Sequence, residues 1–209
     1  MKKFDNSFLS DNIRYIAGTD EAGRGPLAGP VVAAAVIFDN DVWIEGVNDS
    51  KQLTEKERED LLPQIIEKCL TCSVSVISLF QIEKINILQA SLLAMTTSID
   101  RLKTKPDLIL VDGNKGLNHP VHSIPIIKGD SKSFAIASAS IIAKVARDRI
   151  MKRLDIYYPD YCWSKNKGYG TAEHIAAIKI YGPSPLHRKS FLRNILFEVN
   201  SHRFELETE

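Results

Sequence analysis

Three features of the sequence predict an α/β fold, a mixed sheet with helices packed on it. Strand-like and helix-like hydrophobic patterns alternate along the chain. The run Asp107-Leu108-Ile109-Leu110-Val111 is short and apolar, the pattern of a strand buried inside a parallel sheet. A long helical stretch at 134–153 carries Ala135, Ala137, Ala139, Ala143 and Ala146, side chains small enough to let a helix lie close to a sheet.

In chain order, residues 1–13 are polar and expected to fray. Two strands follow, at about 14–20 and 30–38, joined by a Gly/Pro turn. A helix is predicted over Glu55 to Lys68 with Thr54 as its N-cap. Residues 72–79 alternate polar and branched side chains, as a strand does. Residues 82–102 form a long amphipathic helix with Ile85, Leu88, Leu92 and Met95 at helical spacing. Pro106 ends it, and the buried strand finishes at Asp112-Gly113-Asn114. Another short strand, about 124–128, closes at Gly129-Asp130, ahead of the alanine-rich helix. After Pro159 the chain turns aromatic, basic and broken by glycine and proline up to Phe191.

The 209 residues fit one domain with a proper core, and 44% hydrophobic with 25% charged residues is an ordinary globular balance. Cys69 and Cys72 form a lone C-x-x-C without a second pair or a histidine at ligand spacing, so they read as core thiols. With no signal peptide and no long apolar run, a cytoplasmic protein without membrane contact is expected. The net charge of +1 hides an asymmetry: Lys128 to Arg193 holds thirteen Lys/Arg against five Asp/Glu, net +8, which leaves −7 elsewhere. That concentration suggests a surface facing a polyanion.

Chemistry concentrates at Asp20-Glu21-Ala22-Gly23-Arg24-Gly25-Pro26, where two carboxylates run into a glycine-rich turn. The spacing G-x-G-x-x-x-G and Pro26 exclude a dinucleotide fingerprint, and there is no phosphate-binding G-x-x-x-x-G-K-[ST]. Successive strand residues point to opposite faces, so Asp20 and Glu21 share a site only if the backbone bends there. Asp112 ends the buried strand, and Asp130 lies between a strand and the alanine-rich helix, equally placed to cap a helix beginning near Ser131. Four carboxylates at the C-terminal ends of neighbouring strands repel one another unless cations neutralise them. Two divalent ions with hard oxygen ligands, Mg2+ first, suit that set. On a continuous helix Asp148 would stand roughly 27 Å from Asp130, and between Arg147 and Arg149 it reads as a structural ion-pair partner.

These segments, with Asp-Ser-Lys at 49–51, Val-Asp-Gly at 111–113 and Lys-Gly-Asp at 128–130, resemble the motifs of the bacterial ribonuclease HII family, a type 2 ribonuclease H. So do Ala-Ser-Ile-Ile-Ala-Lys-Val at 139–145, Asn-Lys-Gly-Tyr-Gly-Thr at 166–171 and His-Arg-Lys-Ser-Phe at 187–191. The resemblance runs in the family's order from about residue 14 to 193. It implies a ribonuclease H-like mixed sheet, one catalytic domain over 1–209, and a C-terminal helical substrate-binding segment at about 160–200. Asp20, Glu21, Asp112 and Asp130 fall on the family's metal-binding catalytic carboxylates, which implies two divalent ions, Mg2+ or Mn2+. Gly23, Arg24 and Gly25 match an element whose backbone reads the 2′-hydroxyl of a ribonucleotide, the group that separates RNA from DNA. Tyr169 matches a tyrosine that packs on the sugar following the scissile phosphate, where deoxyribose is preferred, and Lys51 matches a lysine placed for a phosphate contact. His174, His187 and Arg188 are placed either to approach nucleic acid or to support their segment.

The implied activity is hydrolysis of the RNA strand of RNA–DNA hybrids and cutting 5′ to single ribonucleotides in duplex DNA, by a monomer. An added N-terminal substrate-binding domain, as in ribonuclease HIII, is not expected, and the acidic run Glu205 to Glu209 reads as solvated. A nuclease or strand-transferase of the same broad fold acting on DNA and a non-catalytic hybrid-binding module are the alternatives.

Overall fold

A computed structural model describes residues 1–193 and 195. The sheet has five strands: β1 (Ile16–Ala22), β2 (Val31–Ile37), β3 (Thr71–Ile77), β4 (Leu108–Asp112) and β5 (Ser123–Ile126), in the order β3-β2-β1-β4-β5. β1, β2 and β3 pair antiparallel, whereas β4 lies parallel to β1 and β5 parallel to β4. This is the mixed sheet that the sequence predicts. Its helices are α1 (Lys2–Asn6), α2 (Glu55–Lys68), α3 (Leu79–Asp100), α4 (Phe134–Asp155), α5 (Trp163–Asn166) and α6 (Ala172–Tyr181).

Both faces of the sheet are covered, which is why β2 reads as an unbroken apolar run. Val31, Ala33, Ala35 and Ile37 pack towards Ala90, Ala94, Met95 and Ile99 of α3. Ala34 and Val36 pack towards Ile141 of α4 and Leu61 and Ile65 of α2. Burying each such Val, Ile or Leu side chain contributes about 1.5–3 kcal/mol. The small residues of α4 matter most at Gly18, where the helix crosses β1. A Cβ there would lie 2.6 Å from Ala135 Cβ and overlap the backbone of Ala135 and Ile136.

The sequence marks some boundaries accurately. α2 spans Glu55–Lys68, opened by a capping box in which Thr54 and Glu57 bond each other's backbone amides. Elsewhere the structure corrects the reading. Residues 1–13 do not fray: Asp5 is buried, and its Oδ2 accepts the Ala135 amide at 3.0 Å, an acid placed on the positive N-terminus of α4. Phe4, Phe8, Leu9 and Ile13 pack beside Ile16, Leu108 and Ile136. α3 is broken at Asn86 (φ 65°), whose Oδ1 accepts the amides of Leu88 and Gln89 and restarts the helix. Cys69 and Cys72 stand half-buried at the α2–β3 junction as free thiols.

Past α4 the chain forms its own small core. Trp163, Tyr161, Ala177 and Ile178 pack with Met151 of α4 and Ala28. The helical segment expected to 200 is described to Arg193 and at Ile195 and includes a 3-10 turn at Lys189–Phe191; Glu205 to Glu209 lie outside the described residues. Among the described residues no helix is long and apolar enough to cross a membrane.

Candidate active site

The C-terminal ends of β1 and β4 lie side by side, with Thr19 in register with Val111, so Asp20 and Asp112 emerge together. Beyond β5, Lys128 takes a left-handed conformation (φ 55°) and a 3-10 turn, Gly129–Ser131, brings Asp130 back to them. One carboxylate oxygen each from Asp20, Asp112 and Asp130 lies within 4.8 Å of the others. The turn is fastened by the Gly129 amide, which donates to Asp112 Oδ1 at 2.7 Å. Asp130 is thus not a helix cap. Ser133 caps α4, its hydroxyl accepting the Ile136 amide at 3.1 Å.

Glu21 stands apart. β1 runs without a bend to Ala22, so the two acids keep opposite faces. Asp20 turns to the α4 side, towards Ser140, and Glu21 to the α3 side, near Leu88 and Ser91. Both still border one cleft of about 360 Å³, because they sit where the sheet ends. Glu21 pairs with Arg24 at 3.3 Å and is not among the three oxygens that converge.

Like charges and burial make the cluster electrostatically costly. Burial pushes the Asp20 carboxyl well above its usual range, and Glu21 and Asp112 push it further. Glu21 is raised to about 6, chiefly by burial with Asp112 adding, against the lowering effect of Arg24. Asp112 is raised by burial and then by Asp130. Lys51 relieves part of this: its Nζ lies 2.9 Å from Asp130 Oδ2 on a side chain 75% exposed. Burial opposes the Lys51 charge most, yet Asp130, Asp49 and Asp20 together raise its pKa. Hard, anionic oxygens converging without a full complement of cations fit a divalent metal ion.

Gly23, Arg24, Gly25, Lys51 and Tyr169 also line the cleft, with the acids Asp20, Glu21 and Asp112. Gly23 (φ +103°) must be glycine, since a Cβ would strike Arg147 and lie 2.7 Å from the Pro30 carbonyl. The Tyr169 ring is 42% exposed and lies over Lys144 (5.8 Å) and Arg147 (5.9 Å). Its flanking glycines suggest a loose backbone, but this one is pinned: its amide donates to the Asn166 carbonyl at 2.9 Å and its carbonyl accepts from His174 Nδ1 at 2.8 Å.

His174, His187 and Arg188 are buried, which decides between their two readings in favour of support. The Ser184 amide donates to His187 Nδ1, so His187 Nε2 carries the proton and donates to His174 Nε2 at 3.0 Å. Asp148 also supports, pairing with Lys144 (2.7 Å) and Arg58 (3.7 Å) rather than with its sequence neighbours. Three contributors escape a residue-by-residue reading of the sequence. Ser140 bonds Ser50 at 2.6 Å beside Asp20, Lys144 lines the cleft, and Arg147 supports its rim. The signal that finds them is their spacing, i, i+4 and i+7 on one face of α4.

A ribonuclease H-type sheet carrying a converging acid cluster at its strand ends defines a hydrolase of the ribonuclease H class, an endonuclease whose cluster could hold a divalent metal ion. Residues 17–194 match the ribonuclease HII family, and the chain belongs to that family. It is 51% identical over 196 residues to the ribonuclease HII of Caldicellulosiruptor saccharolyticus, covering 93% of this chain and 95% of that one. The crystal structure of ribonuclease H2 from Pyrococcus horikoshii OT3 superposes with a TM-score of 0.72 at 29% identity, over 89% of this chain and 99% of that one. The ribonuclease HIII solved in complex with Mn2+ shares the fold at 21% identity and a TM-score of 0.70, over 90% and 71% of the two chains.

Proposed function

We propose that this ribonuclease H hydrolyses the RNA strand of RNA–DNA hybrids and cuts 5′ to single ribonucleotides embedded in duplex DNA. That would serve ribonucleotide removal during replication and repair. The observation that carries the reading is the adjacency of three parts. Asp20 and Asp112 of the acid cluster, the Gly23-Arg24-Gly25 turn and Tyr169 share one cleft, and a Cβ on Gly25 would lie 3.8 Å from Tyr169 Cε1. A ribose 2′-hydroxyl held at the turn is therefore within a nucleotide's length of both the acids and the ring.

In this reading the whole chain is one catalytic domain, and the segment from about 160 forms the wall that holds the duplex. Asp20, Asp112 and Asp130 hold the metal, with Glu21 completing the set from the other face of β1. Two ions, Mg2+ or Mn2+, would polarise the scissile phosphate and lower the pKa of an attacking water. Arg24 and Lys51 hold phosphate oxygens at the rim. The backbone amides of the turn bond the 2′-hydroxyl, a test that deoxyribose fails. Water adds to phosphorus, the bond to the upstream O3′ breaks, and the products carry a 3′-hydroxyl and a 5′-phosphate. The ribose itself then follows the scissile phosphate, so the deoxyribose under Tyr169, expected from the resemblance directly after that phosphate, belongs instead to the next nucleotide.

Mapping the cut on an end-labelled DNA duplex that contains one ribonucleotide tests this. A single Mg2+-dependent cut on the 5′ side, with no cut in the all-DNA duplex, is expected. A cut 3′ to the ribonucleotide, or equal cutting of DNA, overturns the reading, and binding without turnover makes the protein a non-catalytic hybrid binder.

A further inference from the structure

Arg188 is fully buried, and among the described residues every hydrogen bond it makes through its guanidinium goes to a backbone carbonyl. Nη2 donates to the Gly23 carbonyl at 2.6 Å and to Gly29 at 2.8 Å, Nη1 to Arg24 at 2.9 Å and Nε to Gly29 at 3.1 Å. Among the described residues no carboxylate forms an ion pair with it. A guanidinium enclosed in this way is costly to desolvate, and a purely structural filler would be better made of apolar atoms. Its geometry has a consequence for the turn. In a trans peptide unit the carbonyl of one residue and the amide of the next point to opposite sides. Two of the carbonyls that Arg188 draws inward, those of Gly23 and Arg24, share peptide units with the amides of Arg24 and Gly25. Those two amides must therefore face away from Arg188, on the side of the cleft, and neither has a partner among the described residues.

We propose that Arg188 is a positioning residue for substrate selection, setting the orientation of the Arg24 and Gly25 amides and so building the donor pair that receives the ribose 2′-hydroxyl. This rests on the reading of the turn given under the proposed function. A fixed arrangement of successive amides makes an oxygen-binding concavity at no reorganisation cost. Arg147 is the neighbouring buried guanidinium and does a different job. It donates to the carbonyls of Ala28, Pro30 and Lys167, which ties the chain leaving the turn to the α5–α6 loop that carries Tyr169. Lysine cannot replace Arg188, because one ammonium on a flexible stem does not span the four carbonyls of Gly23, Arg24, Gly29 and Pro30.

The test measures binding with Ca2+ in place of Mg2+, using a DNA duplex with one ribonucleotide and the same duplex made wholly of DNA. Two hydrogen bonds to one hydroxyl predict about a tenfold preference of the wild-type protein for the first duplex. Arg188→Lys should lose that preference while its affinity for the all-DNA duplex, set by phosphate contacts, stays within about twofold. A preference kept in Arg188→Lys overturns the positioning role and leaves the reading of the turn intact. A wild-type protein with no preference overturns both. Should Arg188→Lys not fold, Arg188→Gln takes its place, because its amide still donates to carbonyls but spans fewer of them. Loss of the preference with the all-DNA affinity kept supports the positioning role, and a kept preference overturns it.

Discussion

Replacing Asp20 by asparagine should abolish cleavage and, without metal, stabilise the protein. Asp20 is 4% exposed and has no ion-pair partner among the described residues. Its Oδ1 accepts the Glu21 amide at 2.7 Å, a bond that asparagine keeps. The carboxylate oxygens of Asp20, Asp112 and Asp130 lie within 4.8 Å of one another. At that distance and an effective dielectric of about 20, each like-charged pair costs roughly 3 kcal/mol. Lys51 and the partial exposure of Asp112 offset some of this, which leaves a net gain of about 1–3 kcal/mol for Asp20→Asn. For a chain of this size that raises Tm by about 3–9 °C. Thermal unfolding near neutral pH in a chelator, then with Mg2+, measures it. Wild type should gain stability from Mg2+ and the variant far less, while kcat/KM falls by at least about a thousandfold. A variant less stable than wild type in the chelator, or one that keeps the full Mg2+ shift, would show that Asp20 is an ordinary structural carboxylate.

How much of this was legible in the sequence depends on the range of the interaction. Thr54 and Glu57 sit three residues apart, so the capping box announces itself and α2 begins where it should. Asp112 ends its strand where the apolar run stops at an acid, whereas β1 continues two residues past Asp20, because Glu21 and Ala22 still pair with Ala33 and Val32. Asp130 was harder. Asp130 and the serines at 131 and 133 all carry side chains able to cap a helix, and only the left-handed turn at Lys128 decides that Ser133 wins. Asp5 contacts Ala135 across 130 residues, which no local pattern encodes. Charge counting misled most at Arg147 and Arg188. Both belong to the basic third of the chain and count towards a polyanion-facing surface, yet both are 0% exposed. Composition reports a charge and not its direction, and these two point inward at carbonyls.

Gly18→Ala should drive α4 off β1, because the atoms in its way are the backbone of Ala135 and Ile136; a loss of about 3 kcal/mol or failure to fold is expected, and denaturant unfolding would show either. Lys51→Ala should make the dependence of log affinity on log salt shallower by about 0.9, one phosphate contact, without moving the cut; an unchanged slope takes Lys51 off the phosphate path. Tyr169→Ala should lose more kcat/KM on a single embedded ribonucleotide than on a continuous RNA strand, and Tyr169→Phe less on either, since the exposed ring makes the packing; equal losses on both would mean general support of the cleft. The buried histidine pair predicts a pH dependence of stability whose sign is set. Burial, and then His174, lowers the His187 pKa from 6.5 to about 4, and burial lowers His174 as well. Below about 6.5 the unfolded chain therefore binds protons that the folded chain refuses, so stability falls as pH drops from 6.5 towards 4 and gains nothing further above that window. For His187 alone the loss amounts to about 3 kcal/mol at the acid end. His187→Asn should flatten the curve of Tm against pH by about one proton relative to wild type, and parallel curves would show that His187 is protonated in the folded protein.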